Sequence, residues 1–442
     1  MASTRDMTTL RDQVDFDELG LEMYELMTRL YPICRSITGE GFRESQRIIG
    51  EYLPGLSLEA VPSGTRAFDW TVPREWNIRD AYVAHPGGER IIDFRKSNLH
   101  VVSYSVSVHQ TMTLDELRKR LHTLPEEPDF IPYRTSYYRE DWGFCLSHRD
   151  YERLEDGMYE VYIDSTLEDG HLNYGELVLP GDGEHEVLIT SHACHPSLCN
   201  DNLSGNVVAP FLARLLSGVE RRYSYRFLFI PGGIGSVVWL SRNQDRLDRI
   251  RHGLVLACVG DPSRFTYKNT RRGDAEIDRV AKHILENRAE PFETIPFSPY
   301  GYDERNFNSP KFNLPVGSLT RSTHSEFRGY HSSGDDLELV SAERLGETLS
   351  VCLEIAAVLE RNRRYRNLIP EAEPQLGKRG LYGSMGGLQR RADLEMALLW
   401  VMNFSDGDHT LLDIAERSGY SFDLIRQAAD SLVDHELLQT ID

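Results

Sequence analysis

The sequence predicts an α/β protein: a layered sheet with helices on its faces, a β-rich insert, and a small helical domain toward the C-terminal end. Three observations carry this. Unbroken apolar runs alternate with helical patterns from "EVLITSH" to "AEIDRVAKHILENR", as buried strands joined by crossover helices do. Short alternating runs cut by Pro, Asn and Gly-Gly turns fill roughly residues 61–165, the texture of antiparallel strands. A Pro- and Gly-rich stretch, "NLIPEAEPQLGKRGLYGSMGG", then leads into three more helical patterns.

Taken in order, "DFDELGLEMYELMTRLYPICRSITG" spaces its apolar residues for a helix and stops at a glycine turn, and "GFRESQRIIGEYL" follows as a second helix. The insert runs from "WTVPREWNIRDAYV" through "WGFCLSH" to "YEVYIDSTL". Beyond it come "EVLIT", "SGNVVAPFLARLLSG", "YRFLFIPGG", "IGSVVWLSRNQDRL" and "GLVLACVGD", strand and helix by turns. We therefore expect one domain from residues 1–60 and 166–375, an insert domain at 61–165, and a terminal domain at 376–442. In the last, the turn "SGYS" between two helices suggests a helix-turn-helix or winged-helix domain.

Composition narrows the function. The chain has 442 residues and a net charge of −20, which repels nucleic acid and anionic membrane. Residues 402–442 hold nine acidic groups against Arg417 and Arg426, so a DNA-reading role for the terminal domain is disfavoured. No apolar run approaches the roughly 20 residues that span a bilayer, and the first residues lack an apolar leader core. The expectation is a cytoplasmic protein with neither nucleic-acid nor membrane partners. Its six cysteines are scattered, as reduced, mostly buried thiols are.

Chemistry concentrates where strands end, since ligands of such sheets bind at their carboxyl ends. "EVLIT" runs into Ser191-His192, "RFLFI" into Pro231-Gly232-Gly233, and "GLVLACV" into Gly260-Asp261. "SHACHPSLCNDNLSGN" adds His195 and Asp201, and "YHSSGDD" adds His331. Imidazole nitrogen with carboxylate oxygen suits zinc or a similar divalent ion.

"SHACHPSLCNDNLSG", "FIPGGIGS", "VGD" and "YHSSGDD" resemble, in that order, the motifs of co-catalytic zinc aminopeptidases. More of the chain is similar to bacterial proteins with an aminopeptidase-like domain, often encoded among polysaccharide-biosynthesis genes. They share "WTVPREWNIRDAY", "PYRTSYY", "WGFCLSH", "DERNFNSP" and the terminal winged helix. The resemblance implies a zinc-aminopeptidase-like mixed sheet and one or two zinc ions held by His192, Asp201, Asp261 and His331. It also implies hydrolysis of an amide in a small peptide or aminoacyl conjugate, and self-association into a homo-oligomer.

Two departures stand out. Cys194 replaces the aspartate that orients the first zinc histidine, and Gly232-Gly233 occupies the region of an adjacent glutamate pair. Glu304, in "GYDERNFNSP", is the first candidate for the missing general base, then Glu326; His195 is a candidate ligand or acid–base group. Arg305, Asp303 and Arg134 are candidate substrate contacts, Arg134 because it sits among tyrosines. A deacylase of polysaccharide or natural-product biosynthesis and a binding scaffold that lost turnover are the alternatives.

Overall fold

The computed structural model describes residues 7–323, 326–381 and 388–441. They form two compact units, 1–278 with 290–353 and 279–289 with 354–442.

The first unit is built on an eight-stranded mixed sheet. Its strands are β1 (Ser57–Pro62), β2 (His171–Leu179), β3 (Glu186–His192), β4 (Ser224–Ile230), β5 (Ile250–Leu256), β6 (Phe265–Lys268), β7 (Phe292–Ile295) and β8 (Val316–Thr320). Their order is β1-β2-β4-β3-β5-β8-β6-β7. The four central strands β4, β3, β5 and β8 are parallel, so their carboxyl ends share one edge. β1 and β2 add antiparallel pairings beside β4, and β6 runs antiparallel to β8.

Every residue of β3 is buried, which explains why it reads as an unbroken apolar run. Leu188, Leu228 and Ile230 pack with Trp239 and Phe307 in one apolar cluster. Phe227 and Phe229, one residue out of phase, point to the opposite face and are buried too. Truncating either ring to alanine would cost about 3–5 kcal/mol.

The insert carries its own sheet, ordered Arg90–Asp93, Glu75–Ala84, Met158–Glu168, Val108–Thr113, with every pairing antiparallel. Phe144, Tyr159, Val161 and Ile163 form its separate core.

In the second unit, helices Leu388–Phe404, Leu411–Ser418 and Phe422–Asp434 accompany a three-stranded sheet. Its central strand is Arg364–Asn367, between Asp406–Thr410 and Leu438–Thr440. That strand lies before residue 376, where the sequence pattern placed the start of this domain. "RYRN" is too short and too charged to announce a strand. Thr410 and Asp413 cap one helix reciprocally, and Gly419, at φ 72°, ends it. No helix among the described residues is long and apolar enough to cross a membrane.

Candidate metal centre

The site grows from the joint between β3 and the helix Ser204–Ser217. β3 ends at His192, and the chain makes an irregular turn over Cys199–Leu203 before the helix begins. Asp201 sits in that turn with non-helical backbone angles, and the Asp201–Asn202 peptide is cis. The turn is held from two sides. The Asp335 carboxylate accepts the N–H groups of Asn200 at 2.5 Å and Asp201 at 2.8 Å. The Asn202 amide donates to Ser191 Oγ and to Leu256 O, both at 2.9 Å, and accepts from Cys258 N–H at 3.1 Å. One asparagine thus ties the ends of β3 and β5 together. Burial pushes Asp335 up to about 8, in spite of the N–H groups it accepts.

Asp201 is fully buried and collects three histidines. His192 Nε2 lies 2.8 Å from Oδ1, and His331 Nε2 lies 2.8 Å from Oδ2. His195 Nδ1 is 3.0 Å from the Asp201 carbonyl oxygen and 3.4 Å from Oδ2. Burial alone would raise the carboxyl's pKa, but the charge of His195 and the hydrogen bonds of His192, His195 and His331 hold it well below the usual range. The carboxylate is ionised and its two oxygens face separate imidazoles. Ligand atoms of His192, His195 and Asp201 all fall within 4.8 Å of one another. Two imidazole nitrogens and a carboxylate oxygen at that separation form a donor set that fits a zinc ion with a coordination position left open.

Rings orient the imidazoles. His192 stacks on Tyr302 with centroids 5.4 Å apart, and His331 stacks on Tyr330 at 4.1 Å. Tyr133 meets His195 and His331 edge-on, and its N–H donates to the His331 carbonyl at 2.8 Å. Cys194 does not take over the missing aspartate's work; its Sγ accepts the Gly232 N–H at 3.2 Å. Tyr302 and Tyr330 escaped the sequence reading, although Tyr330 immediately precedes His331; Tyr133 and Tyr137 belong to "PYRTSYY", the run whose Arg134 was a candidate substrate contact.

A cavity of about 260 Å³ opens beside the cluster, lined by His192, His195, Asp201, His331 and, across from them, Gly232, Gly233, Asp303 and Arg305. A Cβ built on Gly232 would meet Cys194 Sγ at 3.5 Å and His192 Cβ at 3.6 Å, ordinary van der Waals contact without a clash. A side chain is therefore sterically admissible at 232 but absent. At Gly233, φ is 73°, which disfavours one. Asp303 faces this wall, its Oδ1 accepting Gly233 N–H at 2.9 Å and Ser236 Oγ–H at 2.6 Å. Arg305 is exposed in the cavity wall and has no hydrogen-bond or ion-pair partner among the described residues.

The structure does not bring every candidate here. Asp261 is buried away from the cavity. Its oxygens accept from Asn200 Nδ2 at 2.8 Å, Ser263 N–H at 2.9 Å and Ser322 Oγ–H at 2.9 Å. The chain turns at Cys258, where φ is 51°, and Cys258 Sγ reaches the Tyr302 hydroxyl at 3.0 Å instead. Asp261 steadies Asn200, and so the turn that carries Asp201. Glu304 is also wrongly aimed for a base. Its Oε1 pairs with buried Lys268 Nζ at 2.8 Å and it does not line the cavity. Burial outweighs that lysine and raises Glu304's pKa. Glu326 is exposed outside the cavity, and Arg134 is exposed while Tyr137 of the same run lines it.

Comparison with known proteins places this architecture. The family model described as a domain of unknown function, DUF4910, matches residues 24–362, and a winged helix-turn-helix model matches 363–440. The chain belongs to the DUF4910 family. A Clostridium acetobutylicum relative, named for polysaccharide biosynthesis and an aminopeptidase-like domain, is 52% identical over 96% of this chain and 97% of its own. A crystal structure from the same organism, of a protein named only provisionally as a peptidase, matches with TM-score 0.94 and 49% identity, covering 98% of this chain and all of that one. A zinc aminopeptidase from Bacillus subtilis matches at TM-score 0.56 and 14% identity, over 76% of this chain and 94% of its own. At that identity the likeness speaks for the fold, which is aminopeptidase-like.

Proposed function

We propose that this family member is a zinc-dependent amide hydrolase of aminopeptidase type, acting on a small peptide or an aminoacyl conjugate. The observation that carries the reading is the Asp201 carboxylate, ionised and shared between His192 and His331 at the carboxyl edge of parallel strands. His192, His195, Asp201 and His331 are the residues that would hold zinc. Zinc there would supply Lewis acidity toward a carbonyl and acidify water.

The remaining work falls to side chains in the cavity wall. Asp303, not Glu304, presents a carboxylate to the cavity, fixed by Gly233 N–H and Ser236, and is placed to take a proton and return it to a leaving amine. Arg305, without a hydrogen-bond or ion-pair partner among the described residues, is suited to a substrate carboxylate by two parallel N–H contacts. The cavity's size favours a small acyl or aminoacyl group over a long peptide. All six cysteines are free thiols, which supports a reducing, cytoplasmic setting.

Metal analysis of the purified, unchelated protein, followed by turnover of aminoacyl anilides, tests the reading. Near-stoichiometric zinc and turnover lost in Asp201→Ala are expected. Less than about half an equivalent of metal, or equal turnover by the variant, overturns it.

A further inference from the structure

A second cavity, larger than the first at about 600 Å³, lies at the opposite edge of the sheet, where the central strands begin. Ile250 and Arg251 open β5, Leu314 and Pro315 lead into β8, and Leu247 stands in the short turn before β5. β5 is seven residues long, about 20 Å of extended chain. A small molecule in this cavity therefore does not reach the metal centre.

Floor and rim differ in kind. Leu247, Ile250 and Leu314 are buried members of the central apolar cluster, and half-buried Phe312 packs against it. The rim carries Arg251, Arg272 and Lys311, all exposed. Arg272 Nη2 donates to the Asn313 carbonyl at 2.9 Å, Lys311 Nζ to Gln244 Oε1 at 2.7 Å, and Arg251 Nε to His185 Nδ1 at 3.4 Å. These bonds fix the side chains without neutralising them, because none of the acceptors is a carboxylate. Among the described residues none of the three cations forms an ion pair. Other arginines do: Arg226 meets Glu176 and Glu186, and Arg279 meets Asp413 and Glu416. Carboxylates are abundant in this chain, with 69 acidic residues against 49 basic, yet Asp248 alone brings one to this lining.

Charge and shape together say what fits. Three cations against one carboxylate leave a surplus of two positive charges. A carboxylate ligand would answer one of them, whereas a phosphate monoester carries nearly two negative charges at neutral pH and offers three acceptor oxygens. Guanidinium forks match those oxygens in pairs. The apolar floor calls for an apolar body on the same molecule, since such cavities bind by burying apolar surface around a few placed polar groups. Lys311 Nζ already lies 5.5 Å over the Phe312 ring, so an anion paired with Lys311 has its body beside that ring.

We infer that this cavity is a second ligand site, for a small phosphate monoester with an apolar body. The phosphate sits among Arg251, Arg272 and Lys311, and the body lies on Phe312, Ile250 and Leu314. The inference goes beyond the hydrolase reading and stands or falls without it. Calorimetric titration of the full chain with 1-naphthyl phosphate, at about pH 7.5 where the ester is a dianion, is the test. 1-Naphthoate, with the same rings and a single charge, and inorganic phosphate, with the charge and no body, are the controls. Saturable one-to-one binding of the ester is expected, tighter than either control. Arg272→Gln and Lys311→Gln should each weaken it by about tenfold or more, as loss of a charged hydrogen bond does. Lys311→Arg, which keeps the charge, should retain most of the affinity, a rescue that a merely structural role for the side chain would not show. Asp201→Asn should bind the ester as wild type does, because the metal centre is elsewhere. Both rim positions are exposed, and matching thermal unfolding would verify that the variants fold. No saturable binding of the ester, affinity unaltered in both glutamine variants, or either control binding as tightly overturns the inference. So does loss of binding in Asp201→Asn, which would move the ester to the other cavity.

Discussion

β3 and β5 lie side by side, and each carries a histidine that is only 3% exposed: His192 at the carboxyl end of β3, His252 near the amino end of β5. Their surroundings are opposite. His192 faces an ionised carboxylate at 2.8 Å, and Asp303 and Asp335 lie at the same edge. His252 packs edge-on to Tyr223 at 5.2 Å, and its nearest carboxylate, Glu276, stands 3.8 Å off, against 2.8 Å at His192. Burial, then the charges of Arg222, Arg251 and His185, push its pKa down to about 3. Equal burial of the same side chain therefore prepares one end of the sheet for a cation and makes the other expel even a proton. The carboxylates differ by edge, and that difference is why His192, rather than His252, belongs to the proposed metal site.

Asp201→Asn should break this contrast most completely. The amide keeps the shape but puts no charge between His192 and His331, so metal retention should be abolished. Turnover of aminoacyl anilides should fall by about 10²-fold or more, since even residues that merely support ligands cost about 10–100-fold. Elemental analysis of wild type and variant side by side reads it directly; a variant that keeps its metal would move the cation site elsewhere.

Next in size is the buried pair on the far side of the cavity wall. Lys268→Met leaves Glu304 buried without its partner and should cost about 3–5 kcal/mol in urea unfolding. Glu304→Gln should leave turnover per folded molecule unchanged, because its side chain supports the loop and does not face the substrate. A turnover loss in Glu304→Gln at unaltered stability would return Glu304 to the role the sequence suggested for it.

That reversal shows where sequence reading reached and where it stopped. β3, β4 and β5 were visible because burial on both faces leaves continuous apolar runs, while "SLEAVP" and "VGSLT" were passed over for want of such runs. His192, Asp201 and His331, which the structure brings together, stood out as candidates because their residue types are costly to bury without partners. Asp261 and Glu304 misled because spacing along a chain says nothing of direction. A positive φ at Cys258 turns Asp261 back onto Asn200, and Asp303, Glu304 and Arg305 leave a helix start in three directions, only two of them toward the cavity. Aromatic neighbours such as Tyr302 carried no signal of their own, since a tyrosine beside an acidic loop is ordinary sequence.

The other edge offers a pH test. His252 binds its proton near pH 3 when folded and near 6.5 when unfolded. A depressed folded pKa gives stability that is present above pH 6.5 and drains away as pH falls toward 3. Between pH 7 and pH 5 the chain should lose about 2 kcal/mol through this one group. Replacing His252 by phenylalanine, which can keep the edge-on contact with Tyr223, should flatten that part of the profile in urea midpoints taken at both pH values. A profile with the same slope in His252→Phe would assign the loss to other groups.

The smallest expected effect falls on Arg305, and it sharpens the contrast within the cavity itself. The wall opposite the histidines has an anchored acid, Asp303, and an unanchored base, Arg305. A side chain that makes no bond to the described residues contributes little to stability, so Arg305→Ala should unfold within about 0.5 kcal/mol of wild type. If it holds a substrate carboxylate, KM should rise by about tenfold with kcat unchanged, the signature of an interaction made equally in ground and transition states. Arg305→Lys should recover only part of this, because an ammonium cannot make the two parallel contacts. The same comparison on a substrate whose carboxylate is capped as an amide should show no difference among the three proteins. A KM shift that persists on the capped substrate would mean that Arg305 shapes the cavity mouth rather than pairing with charge.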